Sequence, residues 1–194
     1  MVNRQTITPQ QILGKILSDV QVVKGVKEIV RQQFEQQKNN LLKNFDEHPV
    51  TQEMSSSNSS NISNTLGGYG NLRGFLGIPS EENPVPSVRG VLNNQVKIKK
   101  ITVSKVGLIS IIWEAPSLKD FSSVAGLEWD TKNWVEGMER GISGFQYFMS
   151  VKKGRSGQGV QVTAGVRSGQ FKNRKYMSEL INNFKKSLSS SREF

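Results

Sequence analysis

The sequence predicts an α+β fold: a long N-terminal amphipathic helix packed on a small antiparallel sheet, with an embedded helix and a C-terminal helix. Three observations predict it. Apolar residues recur at helical spacing from Leu13 to Phe45, two neighbouring β-branched runs flank a glycine at 107, and a second helical stripe ends the chain. All 194 residues are read as a single domain, with an N-terminal arm over 1–8, a flexible Ser/Asn-rich loop over 54–65 and a frayed tail over 189–194.

The first helix opens at Thr8-Pro9-Gln10-Gln11. Thr8 can cap, Pro9 fits the first turn, and Gln11 stands three residues on to close a capping box. Leu13, Ile16, Leu17, Val20, Val23, Val26, Val30, Phe34, Leu41 and Phe45 form one stripe, with Lys27, Arg31, Glu35 and Lys38 opposite. His48-Pro49 ends the helix, because the residue before proline avoids the α region. Gly25 is the expected place for a break or kink. A stripe this long exceeds what a small core covers, so Val26, Val30 and Phe34 are the candidate subunit interface, the alternative being a helix that lies across its own sheet.

Met54 to Asn64 is rich in Ser and Asn and poor in apolar surface, which predicts a mobile loop. The stretch from Leu66 to Gly77 is glycine-dense, with Tyr69, Leu72, Phe75 and Leu76 as anchors, and Pro79 to Pro86 reads as a turn region. Val96 to Val103 nearly alternates and Val106 to Trp113 is β-branched, which predicts a hairpin with one basic face. Pro116-Ser117 opens a short acidic-capped segment through Phe121, and Asp130-Thr131 is the expected cap of a helix holding Trp134, Val135 and Met138. Ile142 to Val151 and Val160 to Thr163 read as a third and a fourth strand around the Gly154–Gly159 loop. The last helix starts near Lys175, with Met177, Leu180, Ile181, Phe184 and Leu188 on one face.

Composition narrows the function. The hydrophobic fraction is 35%, below the ~45–50% of ordinary globular chains, so part of the chain stays unpacked or neighbouring subunits complete the packing. The net charge is +10, from 26 Lys+Arg against 16 Asp+Glu. From Arg140 onward eleven basic residues face only Glu179 and Glu193. Arg155, Arg167, Lys172, Arg174 and Lys175 are therefore the candidate contacts to DNA or to an acidic partner.

Catalytic chemistry is not expected. The chain has no cysteine and one histidine, His48, which sits in a turn; a nucleophile needs a base and a metal needs converging ligands. The loop from Gly154 to Gly159 lacks the Gly-Lys-Ser/Thr ending of a phosphate-binding loop and reads as a glycine hairpin. Glu136 and Glu139 share a helix with Arg140 at i+4 from Glu136, which predicts an exposed ion-paired face rather than a carboxylate pair. Trp113, Trp129 and Trp134, with Phe145, Tyr147 and Phe148, are expected in the core rather than on a base-stacking surface. No cofactor is implied. The polar start and the lack of a ~20-residue apolar run predict a protein made in a cytoplasm, with no membrane partner.

Four segments carry a family resemblance: Phe45 to Glu53, Leu66 to Phe75, Trp134 to Phe145, and Arg155 to Gln161. They resemble virion structural proteins of contractile-tailed phages. The order of long helix, flexible loop, sheet with embedded helix and terminal helix is similar to the neck, or head–tail joining, family. The Ser/Asn-rich insert departs from that pattern. The resemblance implies an α+β fold, no enzymatic activity, and a homo-oligomeric ring between portal and tail, with adjacent connector and tail proteins as partners and genomic DNA in its channel. The implied location is the virion. Tail-terminator, tail or baseplate protein is the alternative within the same virion. A cytoplasmic, non-specific nucleic-acid-binding protein is the alternative from another class.

Overall fold

The structure is a computed structural model that describes residues 8–56, 61–65, 71–76, 78, 81–127, 130–140 and 175–190. The fold is α+β, with seven α-helices, a two-stranded antiparallel hairpin and a second, shorter strand pair among the described residues.

Helix α1 (Pro9–Ile16) starts where the sequence predicts, with the Thr8–Gln11 capping box formed. It is a separate helix from α2 (Val20–Glu47), so the expected single helix is corrected. The break falls at Leu17 to Asp19 rather than at Gly25, through which α2 runs unbroken. The physical reason lies in the side chains. Ser18 Oγ donates to the Lys15 carbonyl and Asp19 accepts from the Gln21 N–H at 2.8 Å, so both residues offer the backbone local bonds that compete with continued helix. Glycine, by contrast, keeps its N–H and costs a helix interior only about 1 kcal/mol.

At the far end α2 stops at His48 before Pro49, as expected. His48 then caps α3 (Pro49–Ser55), its Nδ1 accepting from the Val50 N–H at 3.2 Å. After α3 come the short α4 (Leu72–Phe75) and α5 (Val85–Gln95). Helix α5 is absent from the sequence expectation. Its stripe is only Val85, Val88 and Leu92, and its two prolines lie at and just inside its start, where they are compatible with helix.

Strands β1 (Lys97–Val103) and β2 (Ile109–Glu114) form the expected antiparallel hairpin, with Ile101 opposite Ile111 and a bulge between Ile98 and Lys100. Gly107 turns the chain at φ +83°, and its N–H closes onto the Ser104 carbonyl at 3.0 Å. A left-handed residue at this point is what lets a short loop match the twist of both strands. A 3-10 turn follows at Leu118–Phe121, closed by the Ser117–Asp120 capping box. Where a helix cap was expected at Asp130-Thr131, the chain instead forms β4 (Asp130–Asn133) against β3 (Gly126–Leu127). Helix α6 (Trp134–Arg140) starts later, its Glu136 N–H bonded to the Asn133 Oδ1 at 2.7 Å. Helix α7 (Met177–Ser190) follows as expected but runs through Ser189 and Ser190, where a frayed tail was expected; 191–194 lie outside the described residues. The third and fourth strands expected within 142–163 lie outside the described residues.

The core gathers α2 from Phe34 onward with α3, α4, α5, α6 and α7. Phe34 meets Trp113 at 6.5 Å and Phe184 at 5.6 Å between ring centres, tying α2, β2 and α7 together. Tyr176 lies between Phe45 and Trp134, each ring 6.2 Å away, and its hydroxyl meets Thr51 Oγ1 at 2.5 Å. Trp134 is buried in the core, as expected, and Trp113 is half-buried and packs against it; Trp129, Phe145, Tyr147 and Phe148 belong to residues whose side chains are not described.

Candidate docking surfaces

The N-terminal third of α2 runs past the core, and α1 folds beside the hairpin turn at that end. A β-carbon built on Gly107 would lie 3.7 Å from methyl groups of both Leu13 and Leu17, so α1 rests on the tip of the hairpin. No residue of α1 is buried. Ile12, Leu13, Ile16, Val20, Val106 and Leu108 are each more than two-fifths exposed, Val20 at 75% and Leu108 at 68%. These residues make one apolar lobe built from three elements. Singly exposed apolar residues are ordinary, whereas several gathered at one end of a molecule make that end a candidate contact surface.

The α2 residues expected at a subunit interface lie apart from this lobe. Phe34 is 1% exposed and Val30 is buried, both covered by this chain's own elements, and Val26 is half-buried. The expectation for Phe34 and Val30 is therefore corrected. The helical stripe is continuous in sequence, but β1, β2 and α7 cover its middle and leave its beginning bare. The sequence signal that finds the right place is the capping pair at Ser18-Asp19, because it separates a short amphipathic helix with no core of its own.

A basic surface adjoins the lobe. Lys97, Lys99 and Lys100 stand exposed on β1 and Lys105 on the turn, with Lys99 Nζ 2.7 Å from Glu114. This is the basic hairpin face that the sequence predicts. Of the basic contacts expected nearer the C-terminus, Lys175 is exposed just ahead of α7. Arg155, Arg167, Lys172 and Arg174 lie outside the described residues.

Two buried charges hold the opposite end of the molecule. Glu53 accepts from the Ser63 N–H at 2.8 Å and from the Leu72 N–H at 2.6 Å, fastening α3 to the start of α4. Arg73 donates to the carbonyls of Met54, Ser56 and Glu82. Ser63 and Thr65 are buried here. The expected mobile loop over 54–65 is corrected at its two ends: Met54 belongs to α3 and the core, and 61–65 is anchored through Glu53; residues 57–60 lie outside the described residues. On the same end Arg89 Nε binds both oxygens of Asp46, at 2.8 and 3.1 Å, and this hydrogen bonding holds the guanidinium pKa above its ordinary value.

Glu139 also departs from the expectation of an exposed ion-paired face. It accepts from the N–H groups of Tyr176 and Ser178 and from the Ser178 hydroxyl, and so caps α7 from α6. Among the described residues no group of His, Asp or Glu converges as metal ligands, and no helix is long and apolar enough to cross a membrane. Comparison with known protein families, with curated proteins and with solved structures finds no significant match.

Proposed function

We propose that this chain is a structural adaptor subunit of a tailed-phage virion, forming a ring in the neck that joins the DNA-filled head to the tail. The observation that carries the reading is the bare apolar lobe at the beginning of α2, beside a basic hairpin face. A subunit that works by contact needs such a surface, and an oligomer covers it where a lone copy does not. The resemblance of Phe45 to Glu53, Leu66 to Phe75, Trp134 to Phe145 and Arg155 to Gln161 to virion structural proteins supplies the setting. In this reading the work is done by interface geometry and charge. The lobe contributes apolar contact, while Lys97, Lys99, Lys100 and Lys105 meet DNA in the channel or the acidic rim of an adjoining ring.

A tail-terminator, tail or baseplate role would use the same surfaces in another part of the virion. The basic hairpin face alone also favours a second reading, non-specific binding to nucleic acid. Trp134 adds no base stacking to that reading, because it is buried in the core, and Trp113 is half-buried with its ring against Phe34 and Phe184.

The test is genetic and physical. An amber mutation in the gene is expected to yield DNA-filled heads and free tails that fail to join. Complete joined virions from that mutant would sink the proposal. Light scattering on the purified chain with a short DNA duplex separates the second reading: a monomer that binds duplex tightly and salt-sensitively favours nucleic-acid binding, and an oligomer indifferent to free DNA favours the adaptor.

A further inference from the structure

We infer that His48 makes the joint between α2 and α3 sensitive to pH: the neutral imidazole caps α3, and protonation withdraws the cap and loosens the first turn of that helix. The joint works this way whichever surface of the chain meets a partner.

His48 is the one histidine of the chain, and it belongs to two helices at once. It ends α2, where its N–H closes onto the Phe45 carbonyl at 3.2 Å. It also begins α3, with an extended backbone (φ −65°, ψ 132°) ahead of Pro49 in the first turn. Its carbonyl accepts from the Gln52 N–H at 3.0 Å, and its Nδ1 accepts from the Val50 N–H at 3.2 Å. Residues at this place are commonly Ser, Thr, Asn or Asp, whose oxygens accept throughout the neutral range. An imidazole nitrogen differs. Nδ1 accepts only while it carries no proton, and in the imidazolium both ring nitrogens are donors. Protonation therefore sets two donors facing each other at the start of α3, and the bond is lost.

Among the described residues, the surroundings leave that bond as the deciding contribution. The end of α2 favours a cation at His48 and the start of α3 disfavours one, so the two helix ends oppose each other. The carboxylates next to it on α2 are engaged elsewhere: Asp46 binds Arg89 of α5 through both oxygens, and Glu47 lies 3.8 Å from Lys43. Tyr176, ahead of α7, packs its ring 4.7 Å from the imidazole, while its hydroxyl is bonded to Thr51. Glu53 and Arg73 act at the other end of α3, on the N–H groups of Ser63 and Leu72 and on the carbonyls of Met54 and Ser56. The native state thus favours the neutral ring. The stability that the cap contributes is fully present above the ordinary imidazole pKa of ~6.5 and is lost as the pH falls below it. The turn that loosens is the one that carries Val50 into the core and Thr51 to the Tyr176 hydroxyl, the bond that joins α3 to the chain ahead of α7.

The experiment is NMR on the full chain, labelled with nitrogen-15 and read from about pH 8 down to about pH 5, the range in which histidine titrates. The His48 ring protons and the Val50 and Gln52 amides are followed in the same samples. The Val50 amide shift is expected to move with the titration of the ring. Hydrogen-exchange protection at Val50 and Gln52 is expected to fall about five-fold across it, the factor that goes with a cap of about 1 kcal/mol. In His48→Asn the side-chain oxygen accepts at every pH in the range, so protection is expected to stay constant. A Val50 shift that ignores the ring's titration overturns the inference, as does a ring that stays neutral down to about pH 5. So does an Asn variant that loses protection as the wild type does. The first two outcomes are read on the wild type alone and stand even if the variant fails to fold.

Discussion

Tyr176 shows how much one side chain can settle at the residue scale. It is fully buried, stacked near Phe45 and Trp134, and its hydroxyl bonds Thr51. Burial raises its pKa well above the ordinary phenol value, chiefly by desolvating the phenolate. The folded chain therefore keeps a proton that the unfolded chain releases near pH ~10. Stability is fully present below that pH and falls as pH rises beyond it. Tyr176→Phe is expected to flatten this alkaline limb in a series of denaturant melts. At neutral pH it costs about 1 kcal/mol, for the lost Thr51 bond. An unchanged alkaline limb in the variant would assign the transition to another group. Glu53 is the second informative residue. Replacing it with Ala orphans the Ser63 and Leu72 N–H groups, each costing about 1–3 kcal/mol if left buried and unbonded. Faster proteolysis between α3 and α4 is the expected result, and an unchanged cleavage rate would refute the anchoring role.

Caps and turns decide the elements. Asp19 separates α1 from α2 through its bond to Gln21, so Asp19→Ala is expected to lower stability by about 1 kcal/mol. Chemical shifts across 17–19 are expected to become helical, fusing the two helices; shifts that stay extended at 19 would mean the break has another cause. At the hairpin tip, Gly107→Ala meets no crowding, since its nearest neighbours lie at ordinary contact distance. The cost comes from φ +83° instead, about 1–2 kcal/mol for a side-chain-bearing residue. A denaturant midpoint equal to wild type would contradict the strained turn. Several of these features were legible beforehand. The Thr8 box, the His48-Pro49 stop, the hairpin and α7 each rest on local chemistry written in consecutive residues. Helix α5 and the β3–β4 pair were not legible, because α5 shows only a sparse stripe and β3 holds two residues that form a strand only through their partner.

Over the whole molecule, the balance is between a well-covered core at one end of α2 and a bare lobe at the other. Phe34 bears on the first half of that contrast. Its ring sits against Trp113 and Phe184, so Phe34→Ala is expected to destabilise the fold by about 3–5 kcal/mol rather than to disrupt assembly alone. Thermal melting of the variant checks this; a folded variant of unchanged stability would return Phe34 to the surface. The basic hairpin face bears on the second half. If Lys97, Lys99 and Lys100 touch phosphate, duplex binding is expected to weaken steeply between low and moderate salt as counterions are released. Binding that is insensitive to salt would exclude phosphate contact there.

The candidate site was legible only in part. The excess of apolar stripe over available core pointed to an exposed contact face, and the charge pattern of β1 pointed to a basic surface. The stripe's period could not say which of its turns stay bare, because Val26, Val30 and Phe34 repeat the same pattern as Ile16 and Val20. By itself the sequence determined the fold class, the start of α1, the His48 stop of α2, the hairpin and the last helix, since caps, turns and periodicity act between near neighbours. Only the tertiary structure decided that α7 and the hairpin cover Phe34, that Glu139 caps a helix and Glu53 anchors a loop, and that the apolar lobe forms where α1 meets the turn at Gly107. Those outcomes depend on which distant elements come to lie together, and burial is a property of that arrangement rather than of any local pattern.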